Sequence, residues 1–350
     1  MTNAKQTHQP PPSLREQWVG HKKAREELLN SAIQTVDGWI QGITDVEIGA
    51  VGHLFQHEVS LSGCRHEIDI HHPNRAEYVS FSYRHTTGFA NHIIYGPSAE
   101  EDLSKLFSSK VHEATHALQK MRSAALHASP FNPNTQIVIC PSDWIILEER
   151  CEEDAYVKQA LFNTLLAKHL PEVRRLTDND PLSVKTFERI RLDAPHVQEA
   201  VIQAARQALD KSFYWDNPKS DYRFRHHYHD FALKNYEAGM KLRTNNGESD
   251  LIFVRLEPED ITAIGASCGP NSFGDKDLLP EFAKPPTLTE KTQKKLDDIR
   301  SSIGIKDEET LPTLGTILGR LGLTRRQYIE ASYSRPLLQQ SPVTPQPQSP

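Results

Sequence analysis

The stretch from Leu103 to Met121 constrains the fold most, because Leu103, Leu106, Phe107, Val111, Ala114, Leu118 and Met121 fall within one arc of a helical wheel. Ser98 and Glu101 just ahead of it form a capping-box signature, so the pattern predicts a long helix from about Ala99 to Leu126. Within this helix lies His112-Glu113-Ala114-Thr115-His116, an HExxH string. Residues four apart on a helix sit one above the other, so both imidazoles can reach one ion while Glu113 turns toward the remaining coordination position. At about 100° per residue the two histidines point away from the apolar arc. The helix is therefore expected to bury one face and to line a cleft with the other.

Composition makes the string less telling than it would be elsewhere. The chain has 17 histidines in 350 residues, and at that density an HExxH string arises by chance in roughly one such sequence in twenty. Position decides the matter: the string sits on a predicted helix, follows a strand region and precedes a second helix crowded with carboxylates. With 37% hydrophobic and 25% charged residues the chain reads as a soluble globular protein of one large or two ordinary domains. A net charge of −6 gives no electrostatic case for coating nucleic acid or an anionic membrane, so neither is expected as a partner. No stretch approaches the ~18 to 20 apolar residues of a membrane helix, and the start MTNAKQTHQPPPS lacks the apolar core of a signal peptide. A cytoplasmic setting is the expectation, with delivery into another cell by a signal-free route also compatible. Cys64, Cys140, Cys151 and Cys268 are widely spread, which fits reduced thiols.

Patterning divides the chain further. Residues 1–16 and 336–350 are Pro-rich polar tails, the second rich in Gln and Ser as well. A first amphipathic helix is predicted from Trp18 to about Ile43. Short β-like runs follow (EIDIHH, EYVSFSYRH, ANHIIYG), separated by turn residues, and read as a small antiparallel sheet. His66, His71 and His72 alternate within these runs as sheet positions. After the motif helix come an apolar run from Ile137 to Cys140 and a helix from Trp144 through Leu166 that Ser142 or Asp143 can cap. Residues 183–243 read as mostly helical, Leu251 to Leu256 as a strand, residues 258–288 as irregular, and the part between Leu288 and Ser334 as two or three helices. A change of region near Asn246 gives a catalytic domain over 17–245 and a mainly helical region over 246–335.

The second helix carries Glu148, Glu149, Glu152, Glu153 and Asp154. Two histidines hold zinc weakly, and a catalytic site usually takes three protein ligands plus water, so one of these carboxylates is the natural third ligand. Gln119 and Arg122 stand where an extended HExxHxxGxxH motif places Gly and a third His, which rejects the metzincin arrangement. HEATH on one helix with Glu-x-Asp-Ala-Tyr on the next resembles the glutamate-ligand zincins, or gluzincins. Among them it is similar to uncharacterised bacterial metallopeptidase domains and to regulatory peptidases of the ImmA/IrrE type. The resemblance covers about residues 20–170. It implies an α+β, zincin-like fold with the sheet packed on the HExxH helix, a Zn2+ cofactor, and Glu152 as third ligand beside His112 and His116. Asp154 and Ala155 complete the Glu-x-acid-Ala signature, and Tyr156 departs from its usual Asn. Glu149 is the alternative, since Glu149 with Glu153 one turn on resembles a thermolysin-like pairing of a ligand with an outer acidic residue.

Such a site implies hydrolysis of a peptide or protein substrate, with Glu113 as general base toward a water activated by the metal. A further donor stabilises the oxyanion in reactions of this kind, and the cluster Tyr222, His226, His227, Tyr228 and His229 is the place to look for it. Two alternatives stand beside this reading: an inert metallopeptidase-like regulatory protein, and a DNA-binding regulator. The second rests on residues 313–335, where two short helices around Gly322 resemble a helix-turn-helix with Arg325, Arg326 and Gln327 toward DNA.

Overall fold

The structure is a computed structural model that describes residues 14–42, 65–68, 76–82, 89–95, 103–126, 135–169, 224–245, 250–265, 288–325 and 327–328. In chain order the elements are α1 (Leu14–Gly42), β1 (Arg65–Ile68), β2 (Ala76–Ser82), β3 (Phe89–Tyr95), α2 (Leu103–Leu126), β4 (Thr135–Ile139), α3 (Pro141–His169), α4 (Phe224–Asn245), β5 (Asp250–Val254), α5 (Pro258–Gly265), α6 (Glu290–Ser302), a 3-10 turn (Glu308–Thr310) and α7 (Leu314–Arg320). The described residues are thus α+β, mostly helical with two small sheets. None of the described helices is long and apolar enough to cross a membrane.

The antiparallel sheet expected from the sequence is corrected. β3 takes the centre of a three-stranded sheet with β1 parallel on one edge and β2 antiparallel on the other. A second sheet pairs β4 with β5 in parallel. Alternation and turn residues mark strands and favour hairpins between neighbours, whereas these parallel pairings join strands distant in sequence. β2 and β3 pack on α2, which places the three-stranded sheet over the motif helix.

α2 is buried on both sides. Leu106, Phe107, Val111, Ala114 and Ala117 form its apolar face, and Phe107 sits between the rings of Trp39 on α1 and Phe162 on α3, with centroids 6.5 Å away in each case. The buried Lys110 ammonium pairs with Asp37 of α1, and Ser108 donates to Asn163 of α3 at 2.7 Å. Ser98 and Glu101 lie outside the described residues.

α3 begins three residues earlier than expected, with Pro141 in its first turn, where the missing N–H costs nothing. Ser142 and Asp143 therefore lie inside that turn and do not precede it. Asp143 accepts from the backbone N–H of Leu256 at 2.6 Å and from the Cys140 thiol at 3.2 Å, tying the start of α3 to the segment just after β5. Burial pushes the Cys140 thiol far up, so it stays protonated and inert. Arg300 of α6 bridges Glu308 at 2.9 Å and the Ser142 hydroxyl at 2.6 Å.

Residues on both sides of Asn246 share one hydrophobic core: Ile137, Ile139, Trp144 and Ile145 meet Leu233, Tyr236 and Met240 of α4, Val254 of β5, Leu296 and Ile299 of α6, and Leu314 and Ile317 of α7. The Tyr236 hydroxyl donates to the Ile139 carbonyl at 2.9 Å. The segment expected to be irregular contains α5, which opens on Pro258-Glu259-Asp260, a good helix start. After α7, Gly322 turns the chain at φ 67, and Thr324 and Gln327 cap each other, the Gln327 N–H reaching Thr324 Oγ1 at 3.2 Å and the Thr324 N–H reaching Gln327 Oε1 at 2.9 Å. Arg325 pairs with Glu257 and with the buried Asp260, so its guanidinium faces the protein's own carboxylates. The Arg326 side chain lies outside the described residues.

Because the core is shared, Leu314→Ala is predicted to cost about 2–5 kcal/mol and to speed amide exchange in β4 and α4 together with α7. Faster exchange confined to residues 288–328, measured by mass spectrometry, would contradict one common core.

Candidate metal centre

Three helices build the site. α2 presents His112 and His116 one turn apart, α3 runs against α2 and presents Glu152, and α4 packs on α3 and reaches the same carboxylate through Tyr228. The spacing of each helix sets what it delivers. On α3, Glu149 and Glu152 are three apart and share a face. On α4, His229 lies on the face that buries Leu233, Tyr236 and Met240, which carries its imidazole into the interior at 1% exposure.

The three candidate ligands converge closely. The Nε2 atoms of His112 and His116 are 3.1 Å apart, Glu152 Oε1 lies 3.2 Å from His112 Nε2, and Oε2 lies 3.0 Å from His116 Nε2. Ligands in a tetrahedron around zinc at ~2.0–2.1 Å stand about 3.3 Å from one another, close to the separation of the two imidazole nitrogens and of each nitrogen from one Glu152 oxygen. The donor set of two imidazoles and one carboxylate also suits zinc chemically. The residues fit the metal that the motif implies.

Burial makes the arrangement electrostatically demanding. His112 and Glu152 are buried, and His116 and Glu113 are half-buried, so the Glu113–His116 side is the less buried one. Burial by itself would raise the Glu152 carboxyl, but the imidazoles of His112 and His116 hold it well below the usual carboxylate range. Burial would likewise lower His116, yet the Glu152 carboxylate, with a smaller contribution from Glu113, pushes it up to about 9. The Glu113 carboxylate is thus felt at His116.

Around this group stands a ring of supporting contacts. The Gln119 amide nitrogen donates to the Cys151 carbonyl at 2.7 Å, which leaves Gln119 Oε1 facing His116 Nδ1 at 2.9 Å. An amide oxygen only accepts, so Nδ1 carries the hydrogen and Nε2 is left for an ion. The Tyr228 hydroxyl donates to Glu152 Oε2 at 2.7 Å. Burial first, and the Glu152 charge second, push the Tyr228 phenol well above its usual range, so it remains a donor.

The placements can be set against the sequence expectations. His112, His116 and Glu152 come together. Glu149 does not join them: its carboxylate meets His229 Nε2 at 2.9 Å, away from the ligand group. From the proposed oxyanion-donor cluster, Tyr228 reaches a ligand carboxylate and His229 reaches Glu149. The His226 and His227 side chains and all of Tyr222 lie outside the described residues, as do the side chains of His66, Glu153, Asp154 and Tyr156, and all of His71 and His72. In the sequence Gln119 marks a departure from the metzincin motif, and its place three residues beyond a ligand histidine, where a polar side chain faces the same way, is the signal of its role toward His116.

No protein-family profile, curated protein or solved structure matches the chain.

Two outcomes follow. Gln119→Leu removes the partner that orients His116 and is predicted to weaken zinc binding about 10- to 100-fold in competition with a chromophoric chelator; unchanged affinity would contradict that role. A metal must also displace the proton held at His116. Since that group titrates at about 9, zinc affinity should climb by about tenfold per pH unit between pH 7 and 9 and level off above. A flat profile over that range would show that no such proton competes.

Proposed function

We propose that the protein is a zinc-dependent peptidase of zincin-like fold, in which His112, His116 and Glu152 hold the metal and Glu113 is the general base. The observation that carries this reading is the convergence of the three side chains: the imidazole Nε2 atoms lie 3.1 Å apart, and each lies 3.0 to 3.2 Å from one oxygen of the Glu152 carboxylate. The three-stranded sheet over α2, with the carboxylate on the following helix, supports the zincin-like description.

Zinc bound there supplies a Lewis acid and lowers the pKa of a water it holds toward about 7. The remaining work falls to the chain's own groups. Glu113 is half-buried, next to His112 in the chain and close enough to His116 to be felt there, and in this reading the attacking water and the substrate carbonyl approach from its side. Its carboxylate takes the proton from the water as the carbonyl carbon is attacked and returns it to the leaving amine, so the same oxygen serves as base and then acid. Glu152 brings negative charge against the two imidazoles, and Gln119 keeps His116 in the tautomer that leaves Nε2 free. The substrate is a peptide or protein whose backbone carbonyl can approach from the Glu113 side.

Glu113→Gln keeps the shape of the site and removes the base. It is predicted to retain one zinc per chain and to lose about 10²- to 10⁴-fold in turnover of a quenched-fluorescent peptide library. Equal turnover in the variant and the parent would sink the mechanism, and absence of hydrolysis in both would favour the inert regulatory alternative. In metal analysis of the same preparations, Glu149→Gln should keep stoichiometric zinc and Glu152→Gln should lose it. The reverse result would exchange their roles.

A further inference from the structure

α4 contributes two neighbouring side chains to the carboxylate face of α3. Tyr228 donates its hydroxyl to Glu152 Oε2 at 2.7 Å, and His229 meets Glu149 Oε2 at 2.9 Å. The two contacts differ in depth: His229 is 1% exposed, whereas Tyr228 is half-buried and its ring lies against Phe231, with centroids 6.3 Å apart and Phe231 itself 48% exposed. Successive residues on a helix point about 100° apart, so one turn of α4 can serve both carboxylates only because Glu149 and Glu152 are themselves spaced along one face of α3. The inner pair anchors the turn, and the outer hydroxyl rests on the carboxylate nearest the histidines.

Glu152 has other demands on it. Its Oε1 is 3.2 Å from His112 Nε2, and its Oε2 is shared between His116 Nε2 and the tyrosine. A glutamate carboxylate is free to rotate about the last of its three side-chain torsions, which is broad. A hydrogen bond to one oxygen, held by a rigid ring, removes that freedom and fixes which oxygen faces which partner. Outer contacts of this kind typically set metal affinity by 10- to 100-fold.

We propose that Tyr228 is the positioning residue of the metal centre, its hydroxyl fixing the Glu152 carboxylate, with the His229–Glu149 pair holding α4 so that the hydroxyl stays in place. The inference rests on the zinc reading above. It assigns Tyr228 a role toward a ligand and not toward the substrate.

The test compares Tyr228→Phe with Tyr236→Phe in the full-length protein. Both remove one hydroxyl hydrogen bond from α4, but Tyr236 donates to the Ile139 carbonyl in the core and touches no ligand. Zinc affinity is read by chelator competition, and the visible spectrum of the cobalt-substituted protein reports the ligand field. Tyr228→Phe is expected to weaken zinc about 10- to 100-fold and to alter the cobalt bands, and Tyr236→Phe to leave both as in the parent. His229→Gln, which keeps a donor toward Glu149, is expected to hold zinc more tightly than His229→Ala. Parent-like affinity and spectrum in Tyr228→Phe would overturn the assignment while leaving the zinc reading intact. Failure of the parent itself to take up zinc would overturn both.

Discussion

The arrangement depends on a buried anion. Glu152 is 4% exposed, and an isolated carboxylate at that depth would cost several kcal/mol and would neutralise itself by taking a proton. Here it stays ionised because two imidazoles and a phenol are aimed at it from α2 and α4. The same contacts pull His116 toward its protonated form. A proton and a divalent cation are alternative answers to the same electrostatic demand, which is why the site's preference for metal should depend on pH.

Such a group is useful only if it is held still, and the rest of the fold supplies the rigidity. α2 is pinned to α1 through Lys110 and Asp37 and to α3 through Ser108 and Asn163, so the histidine turn cannot slide against the carboxylate turn. The start of α3 is tied to the segment just after β5 by Asp143 and to α6 by Ser142 and Arg300. α4, which brings Tyr228, has its apolar face in the core that β4, β5, α6 and α7 build together. The C-terminal segments thus act on the centre at a distance, by holding the helices that carry its residues.

Local signals carried the sequence far in some places and not in others. The motif helix was legible because its apolar arc spans five turns, and the histidine pair because i, i+4 spacing has a single geometric meaning on a helix. Glu149 and Glu152 were not separable by spacing, since both share one face; the choice turned on the Glu-x-acid-Ala resemblance, and in the structure His229 is what occupies Glu149. Strand positions were readable from β-branched runs, but the parallel pairings of β1 with β3 and of β4 with β5 depend on partners far along the chain. α5 was overlooked in a Gly- and Pro-rich stretch although Pro258 and two acidic residues mark its first turn. Arg325 looked free for phosphate because Glu257 and Asp260 are distant in sequence.

The central claim is that two imidazoles and one carboxylate hold one zinc ion. X-ray absorption at the zinc edge of the stoichiometrically loaded protein tests it most directly. The account predicts a four-coordinate ion with nitrogen and oxygen neighbours at about 2.0–2.1 Å, the multiple scattering of two imidazoles and no sulfur. A sulfur neighbour at about 2.3 Å, which would bring in a thiol such as Cys151, or an ion lacking the signature of two imidazoles, would contradict it.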